Sequence, residues 1–249
     1  MVQISESTLL FNLYQVDIYN GVCKLIPKWE KINKKMRNDY VKEYFELIKI
    51  KKKDLILKRI FDIVVSFLLL VIFFKLIILI AILIKITSKG KVFFKQRRVT
   101  QYGNFFNIIK FRTMDENTEY LGSLTCENDC RVTKFGRFLR KFKIDEIPQL
   151  INVLLGNMTF IGTRPEIPKY VKDYSDKMFA TLLLPAGMTS YASIKFRNEE
   201  KCLKGCDPDL VYMSEILPLK MEYNLEYLKN FNFLLDLKIF FLTIIKVFL

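Results

Sequence analysis

Asp145 and Glu146 stand side by side, and Arg131, Lys134, Arg137, Arg140, Lys141 and Lys143 lead up to them. That much positive charge keeps a carboxylate ionised and attracts polyanions. An Asp-Glu pair has two readings. On spacing alone it is the N-cap and first-turn acid of a helix. The same geometry also puts a carboxylate where phosphate binds, so Asp145 could attack phosphorus while Glu146 handles a proton or a metal. Gly162-Thr163-Arg164-Pro165 follows. It is a turn that would hold Arg164 for bidentate contact with phosphate. Lys110-Phe111-Arg112-Thr113 reads either as a basic strand end or as a phosphate or lipid-headgroup contact. Together these residues point to phosphoryl transfer beside a membrane.

Composition narrows the chemistry. The 249 residues include no histidine, which excludes a Ser-His triad and His-based acid–base or metal chemistry. Half the chain is apolar, yet the net charge is +14. Soluble nucleic-acid binders are rarely so apolar, so an anionic membrane surface is the expected partner and nucleic acid is not. From Lys85 to Lys143 there are 14 Lys or Arg against 5 Asp or Glu, so the basic character is local, as a binding surface requires. Five cysteines form no disulfide framework, and no cleavable signal peptide is evident, which fits a reducing cytoplasm. Cys126-x3-Cys130 and Cys202-x3-Cys206 could build a four-thiolate zinc site, but incidental thiols are the default. No P-loop or Gly-x-Gly-x-x-Gly motif is present.

The elements that must position these residues read as follows. Helical spacing runs from Lys28 to Ile50. Ile60–Ile84 is apolar enough for a membrane, interrupted by Lys75 and flanked by cations on both sides. Equal flanks leave no inside–outside asymmetry, so the simplest topology has both ends in the cytoplasm; a single span with Lys75 snorkelling or paired, and a buried core helix, are the alternatives. Lys91–Lys95 and Phe105–Phe111 predict a β-hairpin. Arg131–Phe142 is an amphipathic helix, and Asp145 is expected to N-cap the next one, which Gly156 ends. The tail Asn232–Leu249 is expected as a helix on the membrane surface or against the first apolar segment.

From Lys58 to about Val247 the chain resembles the bacterial sugar transferases, monotopic polyprenyl-phosphate phosphoglycosyl transferases. The motifs are Lys58-Arg59-x-Phe61-Asp62, Gln96-x-Arg98, Lys110-Phe111-Arg112-Thr113-Met114 and Asp129-x-Arg131-x-Thr133-x-x-Gly136-x-x-Leu139-Arg140. They continue with Asp145-Glu146-x-Pro148-Gln149-Leu150-x-Asn152-Val153, Gly156-x-Met158, Gly162-x-Arg164-Pro165, Gly187-Met188-Thr189 and Arg197-Asn198. The resemblance implies transfer of a sugar 1-phosphate from a UDP-sugar to polyprenyl phosphate, with release of UMP and use of Mg²⁺. Such a step would initiate exopolysaccharide, capsule, O-antigen or glycoprotein glycan assembly at the cytoplasmic face of the bacterial inner membrane. It makes Asp145 the nucleophile, with the metal beside it, and Glu146 its assistant. Phosphate binding falls on Lys110, Arg112, Arg140, Arg164 and Arg197.

The implied fold is α+β and mostly helical, with a small antiparallel hairpin and a re-entrant, membrane-embedded N-terminal helix at 60–84. Residues 1–57 are then an N-terminal extension and 58–249 the transferase domain, and a homo-oligomer is left open. The chain departs from the family where Phe74-Lys75 replaces Ser-Pro, Thr163 replaces Pro and Ser190-Tyr191-Ala192-Ser193 replaces Gly-Trp-Ala-Gln. A non-catalytic basic membrane scaffold explains the charge and the apolar helices, but not the acid pair with its spaced arginines.

Overall fold

A computed structural model describes residues 26–115, 129–196 and 208–248. The chain divides into Met1–Ile32 and Asn33–Leu249. Among the described residues of the first unit, a 3-10 turn occupies Trp29–Lys31.

In the second unit, the helical spacing read from Lys28 becomes an α-helix only at α1 (Asp39–Lys49). Asn38 is extended and its side chain accepts a bond from Val41 N, which fixes the start. Val41, Tyr44, Phe45 and Ile48 face inward at helical spacing.

Helix α2 (Lys52–Thr87) has 36 residues and so is about 54 Å long. It is long and apolar enough to cross a membrane. Leu55, Lys58, Asp62 and Ser66, then Ile80 and Ile84, form a buried stripe along it. Ile60, Val64, Phe67, Val71, Ile72 and Phe74 are exposed on its other side. The helix is uninterrupted at Phe74–Lys75. Without proline there, each residue can keep its backbone bond.

Strands β1 (Phe93–Val99) and β2 (Phe105–Phe111) pair antiparallel, with Phe93 opposite Phe111; the hairpin is the expected one, but its first strand runs on through Gln96–Val99 rather than spanning Lys91–Lys95. Helix α3 (Lys134–Lys141) starts at Thr133, whose side chain accepts from Gly136 N. Helix α4 (Gln149–Leu154) follows a 3-10 turn at Ile144–Glu146. It ends where Gly156 takes φ +81°, with Asn157 N bonded to Asn152 O and Gly156 N to Val153 O.

Strand β3 (Met158–Ile161) leads into the Gly162–Pro165 turn and helix α5 (Pro168–Val171). Strand β4 (Ala186–Thr189) pairs parallel to β3, a pairing the sequence did not announce. Helices α6 (Tyr191–Lys195) and α7 (Pro208–Val211) come next. A π-helical segment, Tyr212–Ile216, joins α7 to α8 (Leu217–Lys229), and α9 (Phe233–Phe248) completes the order.

Two clusters tie the unit to α2. Ile80 and Ile84 pack with Phe111 and Leu139, and Ile144 joins their margin. Toward the other end of α2, Phe61 meets Phe160, Phe233 and Phe240 edge-on. The tail therefore docks on the apolar helix, the second of its two expected places.

At the β3–β4 seam, a Cβ on Gly187 would lie 2.2 Å from Gly162 O. The atoms it would meet are all Gly162 backbone, so Gly187→Ala must push the two backbone segments apart beside Arg164. The expected loss of stability is about 3 kcal/mol, measurable by thermal or urea denaturation.

Candidate active site

Local geometry first decides where the acid pair sits. Asp145 and Glu146 lie in the 3-10 turn, which runs into α4 through Pro148 in helical conformation. No extended residue precedes α4, so the expected N-cap role for Asp145 does not arise. Asn152 fixes α4 against β2: its Oδ1 accepts from Ile109 N at 3.0 Å and its Nδ2 donates to Asn107 O at 2.9 Å. That register brings Lys110 beside the acid pair.

The cations contact Glu146 rather than Asp145. Arg164 Nη2 donates to Glu146 Oε1 at 2.6 Å, and Lys110 Nζ lies 3.3 Å from the same oxygen. Arg164 Nη1 also donates to Met188 O, which joins the turn to β4. Burial opposes the Glu146 charge, but Arg164, Lys110 and Lys143 outweigh it and hold the carboxyl well below its ordinary range.

Asp145 is in a different condition. It is 6% exposed, and its buried Oδ1 accepts no hydrogen bond from the described residues. Burial and then the negative Glu146 push its pKa up, against Lys110, Lys143 and Arg140. The direct cradle expected for Asp145 therefore closes on Glu146, because Glu146 is the acid facing β2 and the Arg164 turn. Asp145 keeps an unoccupied oxygen and feels the cations only through space. Lys110 is pulled down by its own burial, with Glu146 acting to raise it.

The remaining expected contacts divide. Arg140 Nε donates to Thr113 Oγ1 at 2.8 Å, and its charge reaches Asp145. Arg112 is buried and its Nη2 donates to Ser88 O at 2.9 Å and to Ser88 Oγ at 2.7 Å. These bonds tie the end of β2 to the end of α2. Arg197 lies outside the described residues, as do Cys126, Cys202 and Cys206 of the zinc reading; Cys130 is an exposed thiol.

Two participants figure in the sequence only within a run or a motif, with no role of their own. Lys143 acts electrostatically on both acids from a left-handed backbone position, φ 55°. Its place two residues before Asp145 was the available signal. Gln149 is buried, and its Nε2 has no partner among the described residues. It stands one helical turn after Asp145, a spacing that puts the two on one face.

Among the described residues no three His, Cys, Asp or Glu side chains cluster into a ready-made metal site. The unbonded Asp145 oxygen is nevertheless a hard donor. A magnesium ion commonly takes one or two carboxylates and completes its shell with water and substrate phosphates. One carboxylate oxygen beside a diphosphate fits that pattern.

Residues 53–249 match the family model for bacterial sugar transferases. The chain belongs to that family. It is 36% identical over 202 residues to a UDP-glucose:undecaprenyl-phosphate glucose-1-phosphate transferase of Klebsiella pneumoniae, covering 79% of this chain and 41% of that protein. It is 35% identical over 193 residues to the uncharacterised sugar transferase EpsL of Bacillus subtilis (strain 168), covering 78% of this chain and 88% of that protein. A UDP-N-acetylgalactosamine-undecaprenyl-phosphate N-acetylgalactosaminephosphotransferase of Aeromonas hydrophila is 35% identical over 193 residues, covering 76% of this chain and 43% of that protein. The chain thus spans less than half of the longer relatives it matches.

Proposed function

We propose that this chain transfers a sugar 1-phosphate from a UDP-sugar to polyprenyl phosphate, as the first step of a surface glycan. The observation that carries the reading is the unbonded oxygen of buried Asp145, set beside a Glu146 that is already neutralised. A carboxylate with no internal partner is free to bond elsewhere, and attack on phosphorus is chemistry that carboxylates perform.

Asp145 attacks the phosphorus that bears the sugar. The bond to the bridging oxygen breaks, UMP leaves, and an aspartyl phosphosugar remains. An oxygen of polyprenyl phosphate then displaces Asp145, giving the lipid diphosphosugar and restoring the carboxylate. Arg164, Lys110, Lys143 and Arg140 supply the fixed positive charge that phosphoryl transfer needs where negative charge gathers. Bound Mg²⁺ would neutralise the diphosphate, held by Asp145 and the substrate's own oxygens.

The exposed side of α2 fits a seat in one leaflet. Both ends of the helix pack on the same unit, Asn33–Leu249, which supports a seat with both ends on one side of the bilayer. The re-entrant course shares that requirement, but it also calls for a bend, and Phe74–Lys75 shows no interruption. We place the active site on the cytoplasmic face, where a soluble nucleotide sugar meets a lipid phosphate.

Relatives named for glucose 1-phosphate and for N-acetylgalactosamine set the assay. Purified protein with polyprenyl phosphate and Mg²⁺ is expected to release UMP from UDP-glucose, UDP-N-acetylgalactosamine or another UDP-sugar of a panel. Chelation should stop it. No UMP from any UDP-sugar in the panel would overturn the reading.

A further inference from the structure

Helix α2 is more than an anchor, because its first three turns hold both halves of the site. Arg59 sends Nη1 to Val153 O at 2.8 Å and Nη2 to Leu154 O at 2.9 Å. Those are carbonyls of the last turn of α4, the helix that continues the Asp145–Glu146 turn. The last carbonyls of a helix lack the usual i+4 donors, so a guanidinium is a natural terminus for them, here beside the Gly156 N bond that Val153 O also accepts. One position earlier, Lys58 donates to Ile161 O at 2.5 Å and pairs with Asp236 Oδ2 at 2.7 Å. Ile161 ends β3 and directly precedes the Gly162–Pro165 turn. Asp62, one turn further along α2, accepts from Phe160 N at 3.0 Å.

These contacts form a closed ring. Arg59 fixes the acid-pair side, and Lys58 with Asp62 fixes the Arg164 side. The 2.6 Å bond from Arg164 to Glu146 closes it across the site. Any tilt or rotation of α2 moves both halves together, so long as all three side chains hold. If Arg59 lets go, the acid pair can drift from Arg164 while Lys58 still holds β3.

We infer that Arg59, on the apolar helix, is a positioning residue for the transfer reaction: it sets the distance between the acid pair and Arg164 by gripping the far end of α4. The inference rests on the proposed role of Asp145 and Glu146. A misplacement of about 1 Å in such a site can cost about 100-fold in rate.

The test compares Arg59→Leu and Arg59→Lys with the unaltered full chain in lipid nanodiscs. It reads UMP release, flotation with vesicles and backbone hydrogen exchange over 144–165. Arg59→Leu is expected to lose about 100-fold in kcat. KM for the UDP-sugar should stay within about threefold, with flotation unchanged and faster exchange after Leu154. Arg59→Lys, which keeps a cation for one carbonyl, should recover part of the rate. A wild-type kcat in Arg59→Leu, or a loss of rate that only follows a loss of flotation, would overturn the inference and leave Arg59 as an anchor. Should Arg59→Leu fail to fold, Arg59→Lys decides: a lower kcat at unchanged KM supports the brace, and an unchanged kcat overturns it. If the unaltered chain releases no UMP, the catalytic reading fails by itself. Hydrogen exchange then still judges the brace, since unchanged protection across 150–157 in either variant would sink it.

Discussion

Asp145→Asn is expected to lower UMP release by roughly four orders of magnitude or more, the scale seen when a covalent nucleophile is removed. The loss should fall on kcat, with vesicle flotation intact, because Asp145 Oδ1 makes no hydrogen bond on which the fold could depend. The same change should leave the protein slightly more stable at neutral pH. A buried acceptor without a partner costs about 1 to 3 kcal/mol, and an amide does not carry the buried charge. The sign follows from the direction of the shift. The folded pKa of Asp145 is raised by burial and by Glu146. Its contribution to stability is therefore complete below the unfolded value near ~4 and is lost as pH rises through the folded value. The stabilisation by Asp145→Asn should appear above that window and vanish in acid, which thermal denaturation at several pH values reads. A variant that is less stable at pH 8 and still active would contradict both halves.

Glu146→Gln is expected to act in the opposite sense on stability. It leaves Lys110 and Arg164 without their shared counter-charge, and breaking such a pair from one side costs about 3 kcal/mol. Glu146 is held below its ordinary pKa once Arg164, Lys110 and Lys143 overcome its burial. Its contribution is thus present above the unfolded carboxylate value near ~4.3 and is lost as pH falls toward the folded value. The variant should lack that part of the acid sensitivity. Turnover should fall by about 100-fold, since Arg164 loses its 2.6 Å tether. The pH profile carries the more specific signature. Glu146 raises the pKa of Asp145, so its removal should move the acid limb of kcat to lower pH while the plateau drops. An unmoved limb would mean that the two carboxyls do not work on one another.

Much of this site can be read from residue types in order. The hairpin announced itself through two runs rich in Phe and Ile around Tyr102-Gly103-Asn104, and the structure pairs Phe105–Phe111 as expected. The acid pair and Arg164 come together as the motifs imply. What stayed hidden depends on direction rather than composition. Six cations before Asp145 say that charge is near, but the cations that touch the pair, Lys110 and Arg164, come from elsewhere in the chain and meet Glu146; the register of α4 on β2, set by Asn152, brings Lys110 there. Arg112 sits two residues after Lys110 and looks equivalent, yet its guanidinium bonds Ser88 at the end of α2, which the sequence does not signal. Strands β3 and β4 have four residues each, and every residue of β3 is buried, so no alternation marks them. The grip of Arg59 on α4 joins residues far apart in sequence, and its place among basic flanks reads first as a membrane signal.

The covalent role of Asp145 is tested most directly by giving the protein a UDP-sugar and Mg²⁺ without any lipid acceptor. The expected result is a burst of UMP equal to the enzyme present, with a matching mass gain of one sugar phosphate on the peptide that contains Asp145, discharged when polyprenyl phosphate is added. Release of UMP only in the presence of the lipid, with no mass gain on that peptide at any time, would show direct transfer between substrates and contradict a covalent Asp145 intermediate.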